Sequence, residues 1–212
     1  MVINSLHADA PTTSVDESLV MVLEKWASVN SGSYHEAGLK RMLVTLCDAF
    51  ADLPGYHEIL PCVKQPGDFT RYALRIRRQG IRGRKTILLN GHYDTVYGAA
   101  HRFQSVERLS GGRLRGPGVT DMKGGLLVML ETLKRWEASE HNETLSWEIL
   151  ITPDEEIGSL FSIPLLKESA GRCDLGLVYE SAYEDGGFVR SRKGSATYTI
   201  TAHGKEAHVG RN

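Results

Sequence analysis

A histidine and an aspartate stand two residues apart at the end of an apolar run. The run Ile87-Leu88-Leu89 predicts a strand of a buried sheet, and His92 and Asp94 follow it closely. Burying an imidazole and a carboxylate is costly unless each has a partner. Residues two apart on an extended chain point the same way. The pair therefore fits a metal-bound histidine whose other ring nitrogen is held by the carboxylate.

Carboxylates also follow the other apolar runs. Glu155 and Glu156 come after LSWEILIT, Glu180 ends DLGLVYE, and Asp121 ends a glycine-rich loop. Because Glu155 and Glu156 are adjacent, one can bind a metal while the other serves as general base for a metal-activated water. Asp121 could bridge two ions, which lie about 3.5–4 Å apart in two-metal hydrolytic sites. An imidazole and several carboxylates without a thiolate suit zinc, manganese or cobalt.

Each signal taken alone has a plainer interpretation. An H-x-D pair is common, adjacent glutamates are most often a solvated turn, and Asp121 could simply cap the helix that follows it. A metal-dependent hydrolase is favoured because four separate strand or loop ends each carry a suitable group. The sequence contains no G-x-S-x-G, no phosphate-binding lysine loop and no H-E-x-x-H that would favour another chemistry.

The elements that must position these residues alternate between strand and helix. Such alternation predicts an α/β fold with a largely parallel sheet flanked by helices, in which ligands gather at the carboxyl ends of the strands. A capping box at Ser14 and Glu17 predicts the start of the first helix, and Pro164 predicts an interruption of the last. The predicted strands are residues 56–60, 72–78, 86–91, 145–152 and 174–179, and the predicted helices are residues 14–27, 37–51, 122–140 and 159–169.

A change of pattern at about Gly187 predicts a domain boundary. Residues 1–186 read as one catalytic domain. The segments GFVRSRKG and SATYTITAHG then alternate polar and apolar residues, which is typical of strands. We expect residues 187–212 to begin a second domain.

Composition and charge narrow the class of protein. A balance of 25 basic and 26 acidic residues argues against a general polyanion binder. In RYALRIRRQGIRGRK the arginines alternate with apolar residues, which predicts a solvated hairpin face rather than a nucleic-acid surface. No run approaches the roughly 18 apolar residues of a membrane span, no signal peptide is recognisable, and the three cysteines are scattered. We expect a cytoplasmic protein that binds neither nucleic acid nor membrane.

Four motifs in order resemble one enzyme family. GHYDTV, GPGVTDMKGG, TPDEEIGS and LVYES are similar to the successive motifs of the glutamate carboxypeptidase, aminoacylase and acetylornithine deacetylase family, whose members are dizinc hydrolases of amide bonds. The resemblance covers about residues 15–212. It implies a zinc-exopeptidase-like catalytic domain followed by the first strands of an α+β lid or dimerisation domain.

The resemblance also implies roles for individual residues. His92, Asp121, Glu156 and Glu180 would be metal ligands, with Asp121 bridging two ions. Asp94 would orient His92, Glu155 would be the general base, and the Asp121–Met122 peptide would be cis. His208, in GKEAHVGRN, would reach a partner's site and stabilise the oxyanion. The family implies two Zn²⁺ per complete site, with Mn²⁺ or Co²⁺ possible, a small N-acyl amino acid or peptide as substrate, and a homodimer formed through the lid domain.

One departure from the family bears on activity. The family's second metal-binding histidine lies beyond the lid, past residue 212. One metal would keep His92, Asp121 and Glu180, whereas the other would keep only Glu156 and the shared Asp121, fewer than the usual three protein ligands. We therefore expect about one ion per chain and weak or absent catalysis. The alternative is a non-catalytic metal-binding or interaction fragment of the same fold.

Overall fold

The structure, a computed structural model, describes residues 16–82 and 85–181 and a few positions of the remaining chain: 187, 189–191, 193, 194, 196, 198–201, 203 and 204. The chain divides into two compact units, residues 1–181 and 182–212. Every helix and strand below belongs to the first unit. The strands expected after Gly187 fall largely outside the described residues, and His208 lies outside them altogether. The boundary at residue 186 and the lid domain stay predictions.

Four helices and seven strands make up the described part of the first unit. The helices are α1 (Glu17–Ala27), α2 (Glu36–Phe50), α3 (Gly124–Glu137) and α4 (Ile163–Arg172). The strands are β1 (Tyr56–Pro61), β2 (Tyr72–Arg78), β3 (Thr86–His92), β4 (Glu107–Leu109), β5 (Arg113–Arg115), β6 (Ser146–Thr152) and β7 (Leu175–Val178).

Five of the strands form one sheet in the order β1-β2-β6-β3-β7, and β4 pairs with β5 alone. β6, β3 and β7 run parallel to one another, whereas β1 and β2 are antiparallel to their neighbours. The predicted α/β class with parallel strands at its centre is confirmed, and the antiparallel β1–β2 edge makes the sheet mixed. β6 lies in the middle of the sheet, and every one of its residues is buried, as expected for a strand covered on both faces.

Helices cover both faces of this sheet. Side chains alternate across a sheet, so neighbouring residues of one strand pack on opposite faces. Leu89 of β3 packs with the cluster of α1, α2 and α3, whereas Leu88 packs with the cluster beneath α4. The larger cluster is centred on Trp26, Phe50 and Met129. Both faces of β3 and β6 are therefore packed against helices.

Three elements differ from their predictions. α1 is capped by Asp16, whose side chain accepts a hydrogen bond from the Ser18 amide at 3.0 Å, while Ser14 lies outside the described residues. Pro164 stands in the first turn of α4 instead of interrupting a helix, because a residue there needs no amide hydrogen. The β4–β5 hairpin is absent from the predicted strands, because two strands of three residues without a buried face give no apolar run or alternation to recognise.

The arginine-rich segment is only in part the solvated face that its alternation predicted, with Arg77 and Arg82 exposed. Arg71 and Arg75 are buried, and Arg75 forms an ion pair with Glu148, with Nε 3.3 Å from Oε1. Arg78 approaches the Glu143 carboxylate at 2.7 Å. Arg75 and Arg78 are used inside the fold because carboxylates from β6 and from the turn before it reach them. Arg71 instead pairs with Asp68, which precedes β2, at 2.7 Å. Among the residues described, no helix combines the length and the apolar character needed to cross a bilayer.

Candidate metal centre

The candidate residues gather at one edge of the sheet. β3, β6 and β7 are parallel neighbours, and they end at His92, Thr152 and Val178. His92, the Glu155–Ile157 turn and Glu180 therefore lie at the same edge, as carboxyl ends of parallel strands must. Asp121 arrives from the irregular turn Val119–Lys123 that precedes α3.

Three of the expected ligands converge on a single point. His92 Nε2 lies 3.0 Å from Asp121 Oδ1 and 3.4 Å from Glu180 Oε1. One potential ligand atom from each residue lies within 4.8 Å of the other two. Two ligands of one tetrahedral Zn²⁺, each at about 2.0–2.2 Å, lie roughly 3.4 Å apart. The spacing therefore fits one ion held by all three residues.

Asp94 holds the Nδ1 side of the His92 ring and leaves Nε2 facing the other two ligands. Nδ1 lies 3.2 Å from a carboxylate oxygen of Asp94 and 3.2 Å from its backbone carbonyl oxygen. Both groups only accept hydrogen bonds, so Nδ1 carries the hydrogen atom. Nε2 faces the Asp121 and Glu180 carboxylates, and in the metal-free chain it carries a hydrogen as well, because the pKa of His92 is raised to about 11. A metal ion would replace that hydrogen, which gives the arrangement of a metal-binding histidine with an orienting carboxylate.

Glu155 and Glu156 flank this cluster in different ways. Glu155 Oε2 lies 3.7 Å from His92 Nε2, and its side chain is half exposed. Glu156 lines, together with Asp121, an open cleft of about 340 Å³ whose other walls include Tyr97, Phe103, Leu114 and Arg115. Within the described ranges, His92, Asp121 and Glu180 form the one group of three metal-binding side chains. A second ion at Glu156 and Asp121 would need further ligands.

The charges at this edge fit a cation. Burial would lower the pKa of His92, but hydrogen bonds to Asp94 and Glu180 outweigh it and raise that pKa to about 11. Burial, followed by the charge of Asp121, raises the pKa of Glu156 to about 7. Burial also raises the pKa of Asp121, with the Glu180 charge adding to it. A bound divalent ion would neutralise part of the negative charge of these crowded carboxylates and so favour their ionised forms.

This crowding predicts a pH dependence of stability in the metal-free chain. Glu156 has an ordinary pKa of 4.5 and a folded-state pKa of about 7. The folded chain binds this proton more tightly, so its contribution is fully present below pH 4.5 and is lost as the pH rises through 7. The raised pKa of Glu155 acts in the same direction. We expect denaturant unfolding in a chelator to give a smaller free energy at pH 7 than at pH 5. A larger value at pH 7 would contradict the prediction.

Two residues beside the site gave no signal of their own in the sequence. Ser33, between α1 and α2, donates its hydroxyl hydrogen to Asp94 Oδ2 at 2.7 Å. Lys123 is buried and donates from Nζ to the Val29 carbonyl oxygen at 2.8 Å, and burial lowers the pKa of Lys123 to about 7. A Cβ at Gly118, whose φ is +74°, would lie 3.0 Å from the Lys123 side chain. The glycine-rich motif thus makes room for this lysine.

The glycine-rich motif also matches its expected backbone. The Asp121–Met122 peptide bond is cis, as the resemblance implied. The profile of Peptidase family M20/M25/M40 matches residues 88–209, more than half of the chain. The chain belongs to peptidase family M20/M25/M40. Membership of M20 confirms the resemblance drawn from the four motifs and places the chain among the metallopeptidases and related amidohydrolases.

Individual relatives agree with this assignment. The chain is 34% identical over 130 residues to carboxypeptidase G2 of Pseudomonas sp. (strain RS-16), a match covering 61% of this chain and 31% of that protein. The fold is similar to that of the dipeptidase Dug1p from Saccharomyces cerevisiae, with a TM-score of 0.66 and 17% identity. It is also similar to human carnosine dipeptidase 1, with a TM-score of 0.65 and 18% identity.

These matches cover only part of each relative. They include 80% of this chain and 39% of Dug1p, and 79% of this chain and 39% of carnosine dipeptidase 1. The M20 chain therefore spans between 31% and 39% of the length of these three relatives. At such low identity, the two dipeptidase structures establish the fold alone.

Proposed function

We propose that this M20 chain supplies the metal-binding and general-base residues of a hydrolase that cleaves amide bonds in small peptides or N-acyl amino acids. The observation that carries the proposal is the convergence of His92, Asp121 and Glu180 at the carboxyl ends of parallel strands, with ligand atoms within 4.8 Å of one another. Zn²⁺ suits this donor set, and Mn²⁺ or Co²⁺ could replace it.

Each residue has a separate task in the proposal. His92, Asp121 and Glu180 hold the ion, and Glu156 with Asp121 begins a second position at the cleft. When bound, the metal polarises the amide carbonyl and lowers the pKa of water. Asp94 fixes the His92 ring through Nδ1.

Glu155 is the proposed general base. Its carboxylate reaches to 3.7 Å from His92 Nε2 without belonging to the cluster of three ligands. Burial raises its pKa towards the range in which a carboxylate both accepts and returns a proton. It takes the proton of the attacking water and delivers it to the nitrogen of the leaving amine. The substrate would enter through the cleft lined by Tyr97 and Arg115, beside Asp121.

The proposal also covers the oxyanion contact, the domains, the substrate class and the location of the protein. His208 is proposed to stabilise the oxyanion from a partner subunit, and residues 187–212 to begin the lid through which a homodimer forms. Residues 1–186 are proposed as part of the catalytic domain. The name carboxypeptidase G2 supports a carboxypeptidase-like substrate with a free terminal carboxylate. A cytoplasmic location belongs to the same proposal.

The first test is the zinc content of the chain after loading with Zn²⁺ and dialysis. We expect about one ion per native chain and almost none in His92→Ala, because two carboxylates alone are a poor site. His141→Ala removes an exposed histidine, two-thirds of whose side chain is accessible, and should retain the ion. A native chain that binds no zinc would contradict the proposed metal centre.

A second candidate function is a metal-binding domain without catalysis. It is favoured by the single cluster of three ligands found among the described residues. Hydrolysis of a dipeptide and of an N-acyl amino acid by the zinc-loaded chain separates the two candidates. Turnover that disappears with the zinc in His92→Ala supports the hydrolase, whereas one tightly held ion without turnover supports the metal-binding domain.

A further inference from the structure

The Asp94 carboxylate makes more contacts than the orientation of one histidine requires. The residue is fully buried. Its Oδ1 accepts from the Glu155 amide at 3.1 Å and lies 3.2 Å from His92 Nδ1. Its Oδ2 accepts from the Glu156 amide at 3.2 Å and from the Ser33 hydroxyl at 2.7 Å. A carboxylate offers about four acceptor positions, and all of them are used.

The donors come from three separate parts of the chain. His92 ends β3, Glu155 and Glu156 open the turn after β6, and Ser33 lies in the connection between α1 and α2. A single carboxylate therefore joins the imidazole on one side to the backbone of both glutamates on the other. Because the amides of Glu155 and Glu156 are held, the points from which both glutamate side chains extend are held as well.

Hydrogen bonds to its backbone hold Ser33 in place. Its carbonyl oxygen accepts from Arg71 Nε at 3.3 Å and Nη2 at 3.1 Å, and its amide donates to the Thr95 carbonyl at 3.2 Å. The Arg71 guanidinium lies between the rings of Phe69 and Phe161, 4.0 and 4.1 Å from their centroids. With its backbone fixed on both sides, Ser33 places its hydroxyl 2.7 Å from Asp94 Oδ2 and 3.4 Å from the Thr95 carbonyl oxygen, so the carboxylate is the nearer acceptor.

We propose that Ser33 is a positioning residue for the site. Through Asp94 it sets the His92 ring and the start of the Glu155–Ile157 turn together. Without the hydroxyl, one acceptor position of a buried carboxylate has no donor, which is costly. The carboxylate can then rotate away from the two amides and from Nδ1. The contacts stand independently of any reaction, while their purpose rests on the proposed hydrolase.

Hydrogen exchange of the metal-free chain tests the mechanical part of this inference. We expect the amides of Glu155 and Glu156 to exchange about tenfold faster in Ser33→Ala than in the native chain. Ser31→Ala is the matched control: Ser31 is equally buried, and its hydroxyl makes no hydrogen bond to any described residue. Its exchange rates at Glu155 and Glu156 should stay within about twofold of native. Equal rates in the two variants would overturn the proposal.

Affinity for Co²⁺, followed by the visible absorption of the bound ion, tests the link to the site. Partners outside the ligand shell typically contribute 10–100-fold in metal affinity, and we expect a loss of about tenfold in Ser33→Ala. Ser33→Thr, which keeps a hydroxyl, should recover most of it. Unchanged affinity in Ser33→Ala would overturn the role of Ser33 at the site. So would a general loss of folding confined to that variant, because it would assign Ser33 to the fold as a whole.

Hydrogen exchange and Co²⁺ affinity together distinguish a failure of the proposed function from a failure of the role of Ser33. If the native chain binds no Co²⁺ but Ser33→Ala still speeds exchange at Glu155 and Glu156, the proposed function is wrong and the positioning of the turn is correct. If the native chain binds Co²⁺ and Ser33→Ala changes neither exchange nor affinity, the metal centre stands and the role of Ser33 is wrong.

Discussion

Under the proposed function, we expect Glu155→Gln to lower even weak amide hydrolysis by the zinc-loaded chain about 10²–10⁴-fold, the usual contribution of a general base, and to leave its zinc content unchanged. Glutamine keeps the size of the side chain but cannot take a proton from water. Glu155 approaches His92 Nε2 only to 3.7 Å and stands outside the group formed by His92, Asp121 and Glu180. Initial rates with a dipeptide, alongside elemental analysis of the same samples, check the result.

Glu180→Gln is the matched comparison. It makes the same chemical change in a proposed ligand, so we expect zinc and rate to be lost together. The contrast between the two variants distinguishes a base from a ligand. If Glu155→Gln lost zinc as completely as Glu180→Gln, Glu155 would be a ligand and the assignment of the base would be wrong.

Replacing Gly125 with alanine destabilises the chain by about 3 kcal/mol or more, because overpacking usually costs 1–3 kcal/mol and here meets backbone. A Cβ at Gly125 would lie 1.9 Å from the Tyr179 carbonyl oxygen. The Tyr179 amide donates a hydrogen bond to the Asn90 carbonyl oxygen at 3.1 Å, and this bond attaches the segment to β3. α3 and the end of β7 must therefore separate, and Glu180 moves with its neighbour. Denaturant unfolding and zinc titration should both reveal the change.

Gly171→Ala is the control for that substitution. Gly171 lies in α4, and a Cβ there would have no atom within 4 Å. Alanine should stabilise the helix by about 0.5–1 kcal/mol relative to glycine and leave zinc binding unchanged. Equal effects of the two substitutions on stability would show that the close approach at Gly125 does not matter.

The sequence predicted the site best where an apolar strand ended directly in polar residues. The apolar runs of β3 and β6 were found because such runs are typical of buried strands, and polar residues stood out where they ended. The parallel arrangement then implied that His92, Glu155 and Glu180 would meet, and the structure brings them to one edge. These residues could be predicted to be neighbours because each follows the carboxyl end of a strand, and those ends lie at one edge of a parallel sheet.

Contacts between isolated residues far apart in the chain were beyond such reasoning. Ser33 is one of many serines, and nothing local indicates that it meets Asp94 across 61 positions. Arg71 and Arg75 alternate with apolar residues as a surface strand would, and only the carboxylates of Asp68 and Glu148 explain their burial. The turn at Val119–Lys123 delayed the start of α3 to Gly124, because its non-helical backbone at Asp121 and Met122 leaves no trace in hydrophobic periodicity.

The central place of β6 has a consequence for the order of folding. β2 and β3 follow one another in the chain but never pair; each is joined to β6, which is made about 55 residues after β3 ends. Until residue 152 has been synthesised, the β1–β2 hairpin and β3 have no common neighbour, and each exposes an unpaired edge. Long-range pairings of this kind form slowly. Insertion of β6 between β2 and β3 therefore joins the two parts of the sheet and brings Glu155 and Glu156 beside His92, whereas Glu180 joins them only when β7 has paired with β3.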